Sequence, residues 1–165
     1  MTSTPAQHDA LTIYLNDHLA AMTGTVELAK RAAASDQGSL LGPPLATLAG
    51  DLEADRGALV DLMARLDVGV TAYKVAAGWA AEKVGRLKLN GSWVSRSPLA
   101  PVVETEGLRL GIEHSACAWR TLLSLGDERL DTTEIERLAT RSKNQVAVVE
   151  RLRRQAAGTA LGGTA

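Results

Sequence analysis

The sequence is poor in aromatic residues and in cysteine. Phe is absent, aromatic residues make up 3% of the 165 positions, and there is a single cysteine. Sheets are enriched in aromatic and β-branched side chains, so this composition argues against a β-sandwich or barrel. One cysteine excludes a disulfide within the chain. The abundant residues are instead strong helix formers such as Ala, Leu, Glu and Arg, which predicts an all-α protein.

An excess of either charge is also missing. The chain has 18 basic and 19 acidic residues and a net charge of −1, and neither sign is clustered. The chain has no basic patch of the kind that binds nucleic acid, and it has no polybasic segment of the kind that binds anionic lipid. The apolar runs are short and interrupted by Gly and Pro, so we expect no membrane span. The first residues lack the pattern of a secretory signal, and the expected location is therefore the cytoplasm.

Start and stop signals predict five helices in a single domain, residues 5–157, with flexible termini at 1–4 and 158–165. The helices run from about Pro5 to Ala34, from Pro43 to before Gly69, from after Thr71 to Asn90, from Ser97 to before Gly126, and from Asp131 to about Ala157. Thr4 and Asp131 are the expected N-caps. Helices of this length in a small domain usually form a bundle. The third helix and the loop after it would then be a crossover between the second and third bundle helices.

Each of the four bundle helices has an apolar stripe that is interrupted by polar residues near its middle. Four interruptions at similar heights predict a polar layer inside the core, which is also the candidate ligand site. Its expected members are His18, Asp55, Arg56, Glu106 and Glu113. Because a guanidinium can bind a carboxylate in two places, we expect Arg56 to pair with Glu106 or Glu113 inside the bundle. His18 could bind a carboxylate or a backbone carbonyl.

The stretch GIEHSACAWR, residues 111–120, brings Glu113, His114 and Cys117 together in sequence. Di-iron and di-manganese sites in bundles need two Glu-x-x-His pairs, and none of the three histidines has an acidic residue three positions before it. Glu113 and His114 differ by about 100° around a helix, so they do not converge on one ion. We therefore expect no bound metal or other cofactor. The stretch is better explained by a second apolar stripe, on which Gly111 allows a close approach: Leu108, Ile112, Trp119 and Leu122.

Three segments carry a resemblance to a known superfamily. LNDHLAAMTGTVELAKR, KVAAGWAAEKVGRLK and SPLAPVVETEGLRLGIEHSACAWRTL resemble small ferritin-like proteins, in particular an uncharacterised bacterial branch with a degenerate metal site. The resemblance covers the chain from about Leu11 to Arg153. It implies two antiparallel helix pairs joined by a long crossover, in agreement with the layout expected from the helix signals.

The resemblance also assigns positions to the metal ligands of such proteins. Glu27 or Asp17 would be the first carboxylate, and Glu106 would supply that of the third bundle helix. The two Glu-x-x-His pairs would begin at Glu53 and Glu150, but the residues three positions later are arginines. Both histidines are thus missing, which argues against oxidase, iron-storage and catalase activity.

Two hypotheses of function follow from the sequence. The first is a non-catalytic ferritin-like bundle that acts as an interaction or scaffold protein and forms a homodimer. The alternative is a divergent protein that binds a metal or small ligand through the polar layer in its core. Neither hypothesis makes the chain an enzyme, and nothing in the sequence identifies a substrate.

Overall fold

The structure, a computed structural model, describes residues 4–71 and 96–162. This part of the chain contains four α-helices and no strand: α1 Pro5–Ser35, α2 Gly42–Arg65, α3 Ala100–Leu125 and α4 Thr132–Leu161. The prediction of an all-α fold with four long helices is confirmed. The third predicted helix and its crossover fall on residues outside the described ranges. None of the four helices is apolar enough over a sufficient length to cross a bilayer.

Local sequence signals explain most of the helix ends. The Thr4 hydroxyl accepts a hydrogen bond from the Gln7 backbone N–H, and Gln7 Oε1 accepts one from the Thr4 backbone N–H, which makes a capping box. Asp131 accepts from the backbone N–H groups of Thr133 and Glu134 at the start of α4. Gly126 ends α3 in the left-handed region, with φ of 61°. The expected end near Ala157 is too early, because α4 continues to Leu161.

The four helices form two antiparallel hairpins, α1–α2 and α3–α4, that pack side by side. Each helix is antiparallel to its neighbour in the other hairpin. Between α1 and α3, Leu28 lies against Gly107 and Tyr14 binds Thr121. Between α2 and α4, Asp55 binds Arg141 and Arg65 binds Glu134. As a result α2 and α3 run in the same direction. The end of α2 and the start of α3 therefore lie at opposite ends of the bundle.

Both ends of the connection between α2 and α3 are attached to α1. The Asn16 side chain donates to the Gly69 carbonyl and accepts from the Thr71 backbone N–H. Further along α1, Arg96 donates a 2.8 Å hydrogen bond to the buried carboxylate of Asp36, at the C-cap. These contacts fix where the chain leaves the second helix and where it approaches the third.

The core consists of two apolar clusters stacked along the bundle axis. The first cluster lies near the α1–α2 loop and includes Val26, Ala29, Leu45, Leu52, Leu108, Ile112, Val149 and Leu152. The second lies near the α3–α4 loop and includes Leu15, Leu19, Met22, Leu59, Leu62, Met63, Trp119, Leu122, Ile135 and Leu138. Between them every helix contributes at least one buried polar residue, and we call this set the central polar layer: Thr25, Asp55, Ser115, Ser142 and Gln145.

Candidate functional site

The central polar layer is organised around Asp55, whose side chain is only 2% exposed. Its Oδ1 accepts a 2.7 Å hydrogen bond from Arg141 Nε, and its Oδ2 accepts one of the same length from Gln145 Nε2. Arg141 also donates to the Asp51 carbonyl and reaches solvent at the bundle surface. Burial raises the pKa of the Asp55 carboxyl above its ordinary value, and the hydrogen bonds from Gln145 and Arg141 oppose that shift.

The other members of the layer satisfy one another or the backbone. Trp119 Nε1 donates to the Ser142 hydroxyl at 3.2 Å, and Ser142 in turn donates to the Leu138 carbonyl. Thr25 and Ser115 each donate to the carbonyl one turn earlier in their own helices. The exception is Gln145 Oε1, which is buried and has no hydrogen-bond partner among the described residues. The layer is thus nearly saturated, with one unused acceptor.

A separate polar contact lies between α1 and α3, beside the second apolar cluster. The imidazole rings of His18 and His114 are stacked, with centroids 4.0 Å apart and planes 13° from parallel. The Tyr14 ring also contacts His18, at 4.4 Å, and its hydroxyl donates to Thr121 of α3 at 2.9 Å. His18 is buried, whereas His114 lies at the exposed rim. The sequence suggests a carboxylate or a carbonyl as the partner of His18, but in the structure its ring contacts those of His114 and Tyr14.

The structure places Asp55 in the central polar layer and His18 in the separate contact between α1 and α3, while the other three expected members lie outside the core. Glu106 and Glu113 are both exposed, so neither belongs to the core. Arg56 lies near the surface and forms an ion pair with Glu53, at 3.5 Å, on its own helix. The prediction of an ion pair of Arg56 with either glutamate inside the bundle is therefore wrong. The physical reason is the rotation of α3, which directs its other apolar stripe into the core.

The glutamates assigned by resemblance to the Glu-x-x-His pairs also lie outside the core. Glu53 is bound by Lys30 at 2.5 Å and paired with Arg56. Glu150 accepts hydrogen bonds from Arg109, Arg153 and Arg154, and the last two hold the pKa of its carboxyl down at about 2. Within residues 4–71 and 96–162, no three side chains of His, Cys, Asp or Glu are grouped so that they could hold a metal ion.

The sequence does not identify the partners of Asp55 and His18, which are Arg141 and His114. Arg141 supplies the positive charge expected from Arg56, and the available signal is its position four residues before Gln145, on nearly the same side of α4. His114 is the ring partner of His18, but in the sequence it lies beside Glu113 and near Cys117, and that grouping suggests a metal site instead. The register between helices decides both pairings, and a single sequence does not contain that register.

Two grooves lie on the surface of the part of the chain that the structure describes. One shallow groove lies between α1 and α2 and is lined by small residues with Lys30 and Glu53 at its edge. A second, between α3 and α4, is lined by Ser142 together with Glu113, Arg120 and Lys143. Chemically, Asp55 is an acceptor already engaged by two donors, and a ligand would have to displace Arg141 to reach it.

No family model, no curated protein and no solved structure matches the chain. The class of protein is therefore defined by fold and site alone: an all-α four-helix bundle with a polar layer between two apolar clusters.

Proposed function

We propose that this protein is a non-catalytic bundle that acts by binding protein surfaces, and that it forms a homodimer in solution. The observation that carries the proposal is a stripe of residues along the outer face of α3. Leu110 is 72% exposed there, and Leu99 and Val103 are exposed on the same face. We call this the outer stripe: Leu99, Val103, Glu106, Leu110, Glu113 and Cys117.

The spacing of the outer stripe supports helix pairing. Its members follow one another at intervals of four, three, four, three and four residues, the repeat of a helix that packs against another helix. If a two-fold axis at Leu110 relates two antiparallel copies of α3, Val103 faces Cys117 of the second copy, and Glu106 faces His114 of the second copy. These pairs join apolar to apolar and acid to base, which favours a self-complementary interface.

The proposal includes a ferritin-like topology. Folds of this kind have two helical hairpins and one long crossover connection. The parallel directions of α2 and α3 support this arrangement, since one connection has to join opposite ends of the bundle. A cytoplasmic location is also part of the proposal, because Cys117 is exposed and unpaired, and free thiols persist in reducing compartments.

Light scattering on the purified protein tests the dimer. The wild-type protein at micromolar concentration should have twice the 17.4 kDa mass of one chain. Leu110→Glu should reduce the mass to that of one chain, because it places a charge at the centre of the interface. Leu40→Glu is the matched control, since Leu40 is 82% exposed in the α1–α2 loop, and it should remain dimeric. A wild-type mass of one chain, or a dimeric Leu110→Glu variant, would contradict the proposal.

A second candidate is binding of a metal or small ligand at the central polar layer. The buried, unpartnered Gln145 Oε1 favours it, because an unused acceptor in a core is costly unless something donates to it. Elemental analysis and native mass spectrometry of the purified protein decide between the two candidates. A stoichiometric ion or ligand that is lost in Gln145→Leu would favour the second.

A further inference from the structure

The His18–His114 stack joins the two helical hairpins at a buried point. Only 3% of His18 is exposed, and its ring lies against His114 of the other hairpin. The Nδ1 atom of His18 is buried and has no hydrogen-bond partner among the described residues. In a neutral imidazole Nδ1 can be the unprotonated nitrogen, and an unused acceptor costs less than a buried charged donor without a partner.

A protonated His18 would not tolerate this arrangement. Both nitrogens of an imidazolium carry N–H groups, so Nδ1 would become a buried, charged donor without an acceptor. Protonation of His114 would add a second positive charge to a ring centred 4.0 Å away. Moving α1 away from α3 would relieve both problems, because it would return His18 to water.

We infer that the stacked pair is an acid-sensitive contact. It holds α1 against α3 when both rings are neutral, and the interface between α1 and α3, which we call the seam, opens when the rings take up protons. The inference does not depend on the proposed dimer. It assigns to the protein a conformational response to mild acid, in the range in which histidine changes charge.

The charges around the pair favour this behaviour. From α3, His114 opposes protonation of His18, and from α1, Asp17 favours it to a smaller extent. These are the only charged neighbours among the described residues that shift the pKa of His18; α2 and α4 contribute to the adjacent second cluster through apolar side chains such as Leu62 and Ile135. Among these neighbours Asp17 is the one carboxylate, and it offsets only part of the effect of His114 on the pKa of His18.

The direction of the pH effect follows from the pKa. Burial first, and then His114, lowers the pKa of His18 from its ordinary 6.5 to about 4. Between these values the open form binds a proton that the closed form does not, so the closed form is most favoured above pH 6.5 and loses stability as pH falls. The opening equilibrium should increase roughly twentyfold from pH 7 to pH 5 and about a hundredfold by pH 4.

Amide hydrogen exchange measures this opening. Protection factors, corrected for intrinsic exchange, should fall roughly twentyfold from pH 7 to pH 5 for amides of α1 and α3 along the seam. In His18→Leu the decrease should be absent, and in His114→Gln it should be smaller than in the wild type. His8→Gln is the control, because His8 is in the first turn of α1, away from the stack, and it should respond as the wild type does. Repeating the comparison at several protein concentrations separates this opening from dimer dissociation, because only dissociation depends on concentration.

An NMR titration of the wild-type protein provides a measurement that requires no variant. The His18 ring should titrate near pH 4 while the protein is folded. Titration of His18 near its ordinary pKa would overturn the inference. So would an equal loss of protection in His18→Leu and in the wild type.

Discussion

The buried carboxylate of Asp55 is stabilised by a neighbour that comes from another helix. Arg141 of α4 donates to Oδ1, and its guanidinium reaches from the core to the surface. Desolvation of a carboxylate is costly, and a partner with several N–H groups offsets that cost. The hydrogen bonds from the partners of Asp55 therefore determine how far the cost of burying the central polar layer is offset.

Replacing Arg141 should show how strongly the stability of the protein depends on the partner of Asp55. Arg141→Ala leaves Asp55 buried with Gln145 as its remaining donor, and we expect a loss of about 2–3 kcal/mol in the free energy of unfolding. Arg65→Ala is the matched control, since Arg65 forms the other α2–α4 ion pair with Glu134 at an exposed position. The control should cost less than about 1 kcal/mol. Equal losses in urea melts at pH 7 would show that the burial of Asp55 carries no special cost.

The sequence identifies some of the buried polar residues but not their partners. Of the five residues expected in the polar layer, His18 and Asp55 are buried. Stripe position follows from helix geometry alone, so it can be read from spacing. A partner on another helix depends on how far the helices slide and rotate against each other. For this reason the charge expected from Arg56 comes instead from Arg141.

At the scale of whole elements, α3 is the helix that the sequence describes least well. It has two apolar stripes, and the one with Val103, Glu106 and Leu110 faces outward, although Glu106 is expected in the core. The core receives the other stripe, including Leu108, Ile112 and Trp119. Periodicity shows that both stripes exist, but it does not say which one meets the bundle. The helices α1, α2 and α4 each bury one dominant stripe.

Gly111 fixes the distance between α3 and α1. A Cβ atom at this position would lie 2.2 Å from Thr25 Oγ1, far inside contact distance. Gly111→Ala should therefore destabilise the protein by about 1–3 kcal/mol, even though alanine favours helices. Gly57→Ala in α2 meets no atom within 4 Å and should instead stabilise it by up to about 1 kcal/mol. Thermal melts of the two variants provide the comparison, and a neutral Gly111→Ala would mean that the seam has room to adjust.

At the scale of the whole molecule, the central polar layer divides the core into two halves. Each of the four helices in the described ranges crosses the layer, and the apolar clusters on either side include residues from all four of them. A polar layer of this kind lowers the gain from burial, but it penalises helix registers in which its groups lose their partners. The arrangement thus favours one alignment of two hairpins whose apolar stripes could otherwise slide past each other.

Replacing the layer with apolar side chains should separate these two effects. The triple variant Asp55→Leu, Arg141→Met, Gln145→Leu removes the buried charge, its partner and the unused acceptor together, and it joins the two clusters into one core. We expect it to be at least as stable as the wild-type protein, by up to about 4 kcal/mol more, whereas Arg141→Ala alone is destabilised. Its NMR spectrum should show broadened or doubled resonances along the α2–α4 seam, because alternative registers are no longer penalised. Urea melts and two-dimensional spectra measure the two effects independently.

A triple variant as unstable as Arg141→Ala would show that the layer is required for packing. A stable variant with a single sharp set of resonances would show that the layer does not specify the register.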